Sequence, residues 1–320
     1  MDIKVMPKLL RGEVTPPSSK SQCHREIICA ALAHGESRLK NIYFSDDINA
    51  TLRGVSALGA EFIRESDTLR ITGGMATAVP SIDCGAAATT LRLLLPAALA
   101  LYGEANFTGA PSLMSRPLEP YFRLFRERGI EYELNDNCLR VRGRLLAGEY
   151  ALPGDVSSQF FSGLLLALPR LEGDSEIVVT TPLESRAYVE LTRRVQREFG
   201  VTSAWRDGGQ TLLVRGGQEA VSPGTLHIEG DWSHAAFYLV AGAIGRGEIR
   251  LTGLDPQSAQ GDRAVVEILR DMGADIRWEG SALVSRASRL HGLRVDCAQI
   301  PDLVPILAVA MAAAEGDSCI

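Results

Sequence analysis

The chain has 320 residues, with 33 Lys and Arg against 39 Asp and Glu, a formal net charge of −6 at pH 7, and 46% hydrophobic and 22% charged residues. That length gives room for two domains with separate cores. The acidic balance argues against a general nucleic-acid binder, and no apolar run is long enough for a membrane span, since Pro96 interrupts the best one at residues 91–101.

The N-terminus, Met1-Asp2-Ile3-Lys4, lacks the charged-then-apolar order of a signal peptide. The six cysteines, at positions 23, 29, 84, 138, 297 and 319, form no C-x-x-C pair, and no histidine stands at metal-ligand spacing from them. The expectation is a cytoplasmic protein with no metal or other cofactor, and a monomer, because no apolar heptad run is present.

In chain order, the first predicted helix is the most informative. Pro16-Pro17-Ser18-Ser19-Lys20-Ser21-Gln22-Cys23-His24-Arg25 leads into an apolar stretch (Ile27, Ile28, Ala31, Leu32) that Gly35 ends. Free N–H groups and the positive end of the helix dipole favour anions at such a start, and Lys20 and Arg25 add two full charges. The bland reading is an ordinary capped helix with solvated charges.

The design recurs. Asp83-Cys84-Gly85-Ala86-Ala87-Ala88-Thr89-Thr90-Leu91-Arg92 opens a second such helix, and Thr108-Gly109-Ala110-Pro111 leads to Ser115-Arg116-Pro117, where Pro117 suits a first helical position. Gly154-Asp155-Val156-Ser157-Ser158-Gln159 opens a very apolar helix and Glu184-Ser185-Arg186-Ala187-Tyr188 another. Gly230-Asp231-Trp232-Ser233 and Ile300-Pro301-Asp302 complete the series. Several such starts directed at one cleft would hold a substrate with more than one anionic group.

A longer unit also repeats. Gly59, Gly129, Gly200 and Gly273, separated by 70, 71 and 73 residues, each follow an amphipathic helix and precede two short alternating strands. The spacing predicts packed α/β modules; independent helix–hairpin pairs in an α+β fold are the alternative. Two short extended pieces, Gly12-Glu13-Val14-Thr15-Pro16 and residues 224–231, fall where the chain could cross between lobes. The expected division is 15–228 as one lobe and 1–14 with 229–320 as the other.

These motifs resemble the 5-enolpyruvylshikimate-3-phosphate synthase family. The resemblance runs through Ser19-Lys20-Ser21 with Arg25, Ser45-Asp46-Asp47, Cys84-Gly85 through Arg92, Arg116-Pro117, and Gly154 through Gln159. It continues through Ser185 with Tyr188, Gly230 through Ser233, Gly261-Asp262 and Pro301-Asp302. It implies a two-lobed α/β fold of repeated βαβαββ units, with the second lobe incomplete.

It also implies an enolpyruvyl transfer from phosphoenolpyruvate to the 5-hydroxyl of shikimate-3-phosphate with release of phosphate. By that resemblance Lys20, Ser21 and Arg25 bind shikimate-3-phosphate, and Lys20 also reaches phosphoenolpyruvate. Ser157 and Ser158 hold the shikimate phosphate, Gln159 touches both substrates, and Ser185 and Tyr188 line the same pocket, the first lobe serving mainly this substrate. Arg116 binds phosphoenolpyruvate, Arg92 is a further candidate substrate ligand, the Ala88 position lies against phosphoenolpyruvate, and Asp302 holds the shikimate hydroxyls and takes a proton. Lys20 as charge stabiliser and Asp302 as base are the expected catalytic pair.

Each residue also has a plainer role: Arg92 as a partner within its helix, Ser157 and Ser158 as caps, Tyr188 and Trp232 as packing, and Asp302 as an ordinary first-turn acid. Asp46 and Asp47 read as loop or capping residues. Two departures from the family pattern stand out. Ala86-Ala87-Ala88 replaces more polar residues and a glycine, so the Ala88 methyl is expected to weaken inhibition by glyphosate-like compounds. Family members also continue past the predicted helix at residues 302–314, so impaired turnover is expected of a chain of this length.

Two other functions stay open. A UDP-N-acetylglucosamine enolpyruvyl transferase would carry a lysine–asparagine pair where Lys20-Ser21 stands, and a cysteine near Arg116. A non-catalytic protein that binds phosphorylated ligands on the same scaffold is the alternative from another class.

Overall fold

Glycine-ended helices followed by hairpins occur four times in the computed structural model, which describes residues 3–6 and 8–320. Met1 and Asp2, part of the stretch read above for a leader, lie outside the described residues, as does Pro7. Gly59, Gly129, Gly200 and Gly273 all take left-handed φ values, +100°, +67°, +81° and +96°. That conformation ends a helix without the Cβ clash other residues would meet.

Along the chain, β1 (Gly12–Val14) precedes α1 (Lys20–Leu32), β2 (Glu36–Lys40), α2 (Asp46–Ala57) and the hairpin β3 (Glu61–Glu65) with β4 (Thr68–Thr72). Next come β5 (Ser81–Asp83), α3 (Ala88–Tyr102), β6 (Glu104–Thr108), the short α4 (Pro111–Met114), α5 (Glu119–Arg128), β7 (Glu131–Asn135) and β8 (Cys138–Arg142). The third set is β9 (Glu149–Leu152), α6 (Ser158–Ala167), β10 (Ser175–Val179), α7 (Arg186–Glu198), β11 (Ser203–Arg206) and β12 (Thr211–Val214). After β13 (Thr225–His227) follow α8 (Trp232–Ile244), β14 (Ile249–Leu251), α9 (Val265–Asp271), β15 (Asp275–Glu279), β16 (Ala282–Arg286) and α10 (Val304–Ala312).

The strands form four four-stranded sheets of one pattern: β13-β2-β4-β3, β5-β6-β8-β7, β9-β10-β12-β11 and β1-β14-β16-β15. In each, the first two strands are parallel and the rest antiparallel. Two of the sheets take their first strand from a distant part of the chain. β13 pairs with β2 through Thr225 and Arg38, and β1 pairs with β14 through Gly12 and Ile249. The chain divides into two compact units, Lys20–Ile228 and Met1–Ser19 with Glu229–Ile320. Residues 15–19 therefore lie with the smaller unit; Ser19 N–H donates to the Glu229 carbonyl at 2.8 Å.

In the larger unit, the first helix of each module is buried on most of its surface, and α3 and α6 are apolar nearly all round. Ile27 and Ile28 on α1, Leu93, Leu94 and Leu95 on α3, and Phe160 and Phe161 on α6 are all fully buried. Such helices are stable only when covered on every side; α3 packs along α6, α2 and α7 lie against α1, and Tyr121 of α5 meets Phe160 of α6. Each buried side chain of this size contributes about 1.5–3 kcal/mol. The smaller unit builds its own core from Trp232, Leu239, Leu269, Leu283 and Leu307.

Two local expectations change. Pro117 is not a first helical residue: α5 starts at Glu119, and Pro111 and Pro120 occupy the helix starts. A proline pushes the residue before it out of helical geometry, so Arg116 stays in the loop between α4 and α5. The helix expected at residues 302–314 is a single turn, Pro301–Leu303, followed by α10. No described helix is long and apolar enough to cross a membrane.

Candidate functional site

Three buried polar junctions tie the first helices of the larger unit together. Between α1, α2 and α3, His24 Nδ1 lies 2.7 Å from Thr51 Oγ1, which lies 2.7 Å from Thr90 Oγ1. Between α3, α5 and α6, the Tyr121 hydroxyl reaches the Arg92 and Phe160 carbonyls. Between α6, α7 and α1 sits Arg25, only 2% exposed.

Arg25 donates from Nε to Thr192 Oγ1 at 2.7 Å, from Nη1 to the Ser21 carbonyl at 2.7 Å, and from Nη2 to Ser162 Oγ and the Tyr188 carbonyl, both at 3.2 Å. Its guanidinium also faces the Tyr188 ring, 5.9 Å from the centroid. No carboxylate of the described residues lies within 4.0 Å of it. Burial pushes its pKa down to about 10, opposed by Tyr188 and Cys29. Every partner of this buried cation is neutral, a costly arrangement for a group that keeps its charge.

Arg92 and Arg116 form a second cationic place. Arg92 Nη1 donates to Gln159 Oε1 across α3 and α6 at 3.0 Å, and Nη2 donates to the Pro117 carbonyl at 3.3 Å. Gln159 Nε2 donates in turn to Thr89 Oγ1 at 2.9 Å. Burial lowers the Arg92 pKa, Tyr121 opposes that, and the like charge of Arg116 adds to the lowering. Arg116 is exposed, and no described carboxylate forms an ion pair with either arginine.

The helix starts around these arginines differ in how they are capped. Ser157 caps α6, accepting from the Gln159 N–H at 3.3 Å, while Ser158 is buried as the first residue of that helix. The residue before α3 is Ala87, which has no side chain to accept from the first turn. Ser185 precedes α7 with φ +52° and makes no cap bond. Strain of this kind in a non-glycine residue is worth about 1–3 kcal/mol and collects at ligand sites. The first turn of α3 thus has no side-chain cap, which leaves its N–H groups to another acceptor.

Lys20 is half exposed and donates to Asp47 Oδ2 at 2.9 Å. Asp47 stands in the first turn of α2, which Ser45 caps. Ala88 is 8% exposed, its methyl largely packed. Asp302 is exposed in the turn before α10 and belongs to the smaller unit. Trp232 is fully buried.

The structure therefore brings Arg25 to Ser21 and Tyr188, and Arg92 to Gln159 and Arg116. Sequence reasoning missed Thr192, Ser162 and Thr89. Their spacing held a signal: Thr192 lies four residues after Tyr188 and Ser162 four after Ser158, which puts each pair on one helix face. A concavity of about 810 Å³ contains none of these residues; it lies by β9–β12, lined in part by Glu149, Glu176 and Arg206. There Arg206 pairs with Glu176.

Comparison with known proteins assigns the chain to a family. The sequence pattern of the family described as EPSP synthase (3-phosphoshikimate 1-carboxyvinyltransferase) matches residues 5–320. The 3-phosphoshikimate 1-carboxyvinyltransferase of Clostridium novyi is 40% identical over 98% of this chain and 75% of its own length. That of Clostridium perfringens strain SM101 is 41% identical over 99% of this chain and 75% of its own. Among solved structures, EPSP synthase from Acinetobacter baumannii superposes with a TM-score of 0.76 at 26% identity, over 97% of this chain and 73% of that one. The enolpyruvyl transferase NikO from Streptomyces tendae shares the fold at 18% identity, with a TM-score of 0.77 over 96% of this chain and 74% of that one. The chain belongs to the EPSP synthase family.

Proposed function

We propose that this chain binds shikimate-3-phosphate and phosphoenolpyruvate and transfers the enolpyruvyl group from the second to the first. The observation that carries the reading is the set of three arginines, Arg25, Arg92 and Arg116, without carboxylate partners among the described residues. Each substrate has a phosphate and a carboxylate, and charge-assisted hydrogen bonds to such groups contribute about 1.5–3 kcal/mol each.

The chemistry needs no redox step. The 5-hydroxyl oxygen bonds to C2 of phosphoenolpyruvate while C3 takes a proton; the C2–O bond to phosphate then breaks and C3 gives a proton back, restoring the double bond. Lys20 offers a cation for the charge that develops, and Asp302 is the carboxylate assigned to the hydroxyl proton. Gln159, Ser157 and Ser158 offer hydrogen bonds to the phosphate, with Ser21, Ser185 and Tyr188 lining its pocket. The packed methyl of Ala88 would crowd the phosphoenolpyruvate side, and Ala88→Gly is expected to raise sensitivity to glyphosate-like inhibitors.

The test is a calorimetric titration with shikimate-3-phosphate, using shikimate as control, followed by a phosphate-release assay with both substrates. Saturable binding that needs the phosphate, weakened about tenfold or more by Arg25→Met, is the expected result. Equal affinity for shikimate, or no binding by the folded chain, would overturn the reading. Binding without phosphate release would favour the non-catalytic ligand-binding alternative.

A further inference from the structure

The joint between α3 and α6 has three parts. Pro96 lies inside α3 and has no N–H, so the carbonyl four residues earlier, that of Arg92, loses its helical donor. The Tyr121 hydroxyl on α5 takes that place, 2.9 Å from the Arg92 carbonyl oxygen and 3.1 Å from that of Phe160 on α6. Gly163 makes room for it: a β-carbon there would collide with the Tyr121 hydroxyl and the Arg92 carbonyl, and would lie 3.3 Å from Pro96 Cγ.

The Tyr121 ring is held independently of its hydroxyl. It is fully buried and meets the Phe160 ring edge-on, with 4.8 Å between centroids. The hydroxyl thus acts on the backbone of two residues that matter nearby. Arg92 carries the guanidinium that reaches Gln159 at 3.0 Å, and Gln159 directly precedes Phe160.

We infer that Tyr121 is a positioning residue: its hydroxyl sets the spacing of α3 and α6, and with it the placement of Arg92 against Gln159. The consequence for substrate binding rests on the function proposed above; the consequence for Arg92 itself does not.

Tyr121→Phe keeps the ring and removes the donor. Pro96→Ala gives the Arg92 carbonyl a backbone N–H again. Two readouts apply to wild type, Tyr121→Phe and the double variant. One is the rate of phenylglyoxal labelling at Arg92 in ligand-free protein, followed by peptide mass spectrometry with exposed Arg116 as internal control. The other is the affinity for phosphoenolpyruvate in the presence of shikimate-3-phosphate.

Tyr121→Phe is expected to speed Arg92 labelling several-fold and weaken phosphoenolpyruvate binding about tenfold, since small misplacements of binding groups are costly. The double variant is expected to return both towards wild type. A folded Tyr121→Phe protein with a lower Tm but unchanged labelling and affinity would overturn the inference, as would a loss that Pro96→Ala does not rescue. If wild type binds neither ligand, the proposed function fails, and the labelling rate alone decides the role of Tyr121. Should Tyr121→Phe not fold, Gly163→Ala, which strains the same joint with the hydroxyl in place, is expected to move Arg92 labelling in the same direction, and an unchanged rate overturns the inference.

Discussion

The two units use the same module with different results. In Lys20–Ile228, α1, α3 and α6 expose no large hydrophobic side chain. In the other unit, the corresponding α8 leaves Phe237 51% and Ile244 39% exposed, and α10 leaves Val309 48% exposed. A helix that is apolar all round needs neighbours on several sides, and a set of three modules supplies them where a single one does not. The polar junctions follow the same logic. His24–Thr51–Thr90, Tyr121 with two carbonyls, and Arg25–Thr192–Ser162 all lie where two first helices and one second helix meet.

This contrast is open to direct attack. The largest expected effect is at Phe161, fully buried on α6. Phe161→Ala is expected to cost about 3–5 kcal/mol in urea unfolding, through lost burial and the cavity left behind. A loss near zero would mean that the three-helix core does not carry the stability of its unit.

Arg25 comes next, and its sign is informative. Removing a buried charge that has no carboxylate partner relieves a desolvation penalty, which offsets the hydrogen bonds lost to the Ser21 and Tyr188 carbonyls. Arg25→Met is therefore expected to keep or raise the urea midpoint while abolishing most shikimate-3-phosphate affinity. A large loss of stability with affinity intact would make Arg25 a bracket between helices and not a ligand.

The His24 junction predicts a pH dependence. Burial, with Lys20 and Arg25 nearby, lowers the His24 pKa from 6.5 to about 3. Between those values the unfolded chain binds the proton and the folded chain does not. Stability therefore falls as pH drops from 6.5 towards 3, by at most about 1.4 kcal/mol per pH unit, and the contribution is whole above 6.5. His24→Gln removes that slope, so its stability difference from wild type should change steadily between pH 7 and pH 4. A difference independent of pH would mean that His24 takes up its proton equally in the folded and unfolded chain.

The smallest effect is expected at Phe237. Phe237→Ala should change stability by less than about 0.5 kcal/mol, as for other exposed positions, while reducing dye binding to exposed apolar surface. A core-sized loss there would show that α8 is covered in solution and would erase the contrast with α6.

The repeat and most helix starts were legible in the residues because their signals are local. A left-handed glycine, an N-cap hydroxyl and an alternating hairpin each act within a few positions, so Gly59, Ser157 and the β7–β8 pair could be read in order. Pro117 misled because proline suits both a helix start and the loop before one. The resemblance singled out Arg25 and Arg92 as candidate ligands but said nothing of their surroundings. Arg25 meets Thr192 across 167 positions and Ser162 across 137, and no local pattern encodes such a meeting. The exchange of β1 and β13 between modules and the fit of Tyr121 against Pro96 and Gly163 are of the same kind. They depend on which helices and strands pack together, and that choice is made by the burial of whole apolar faces, not by the few residues that end up touching.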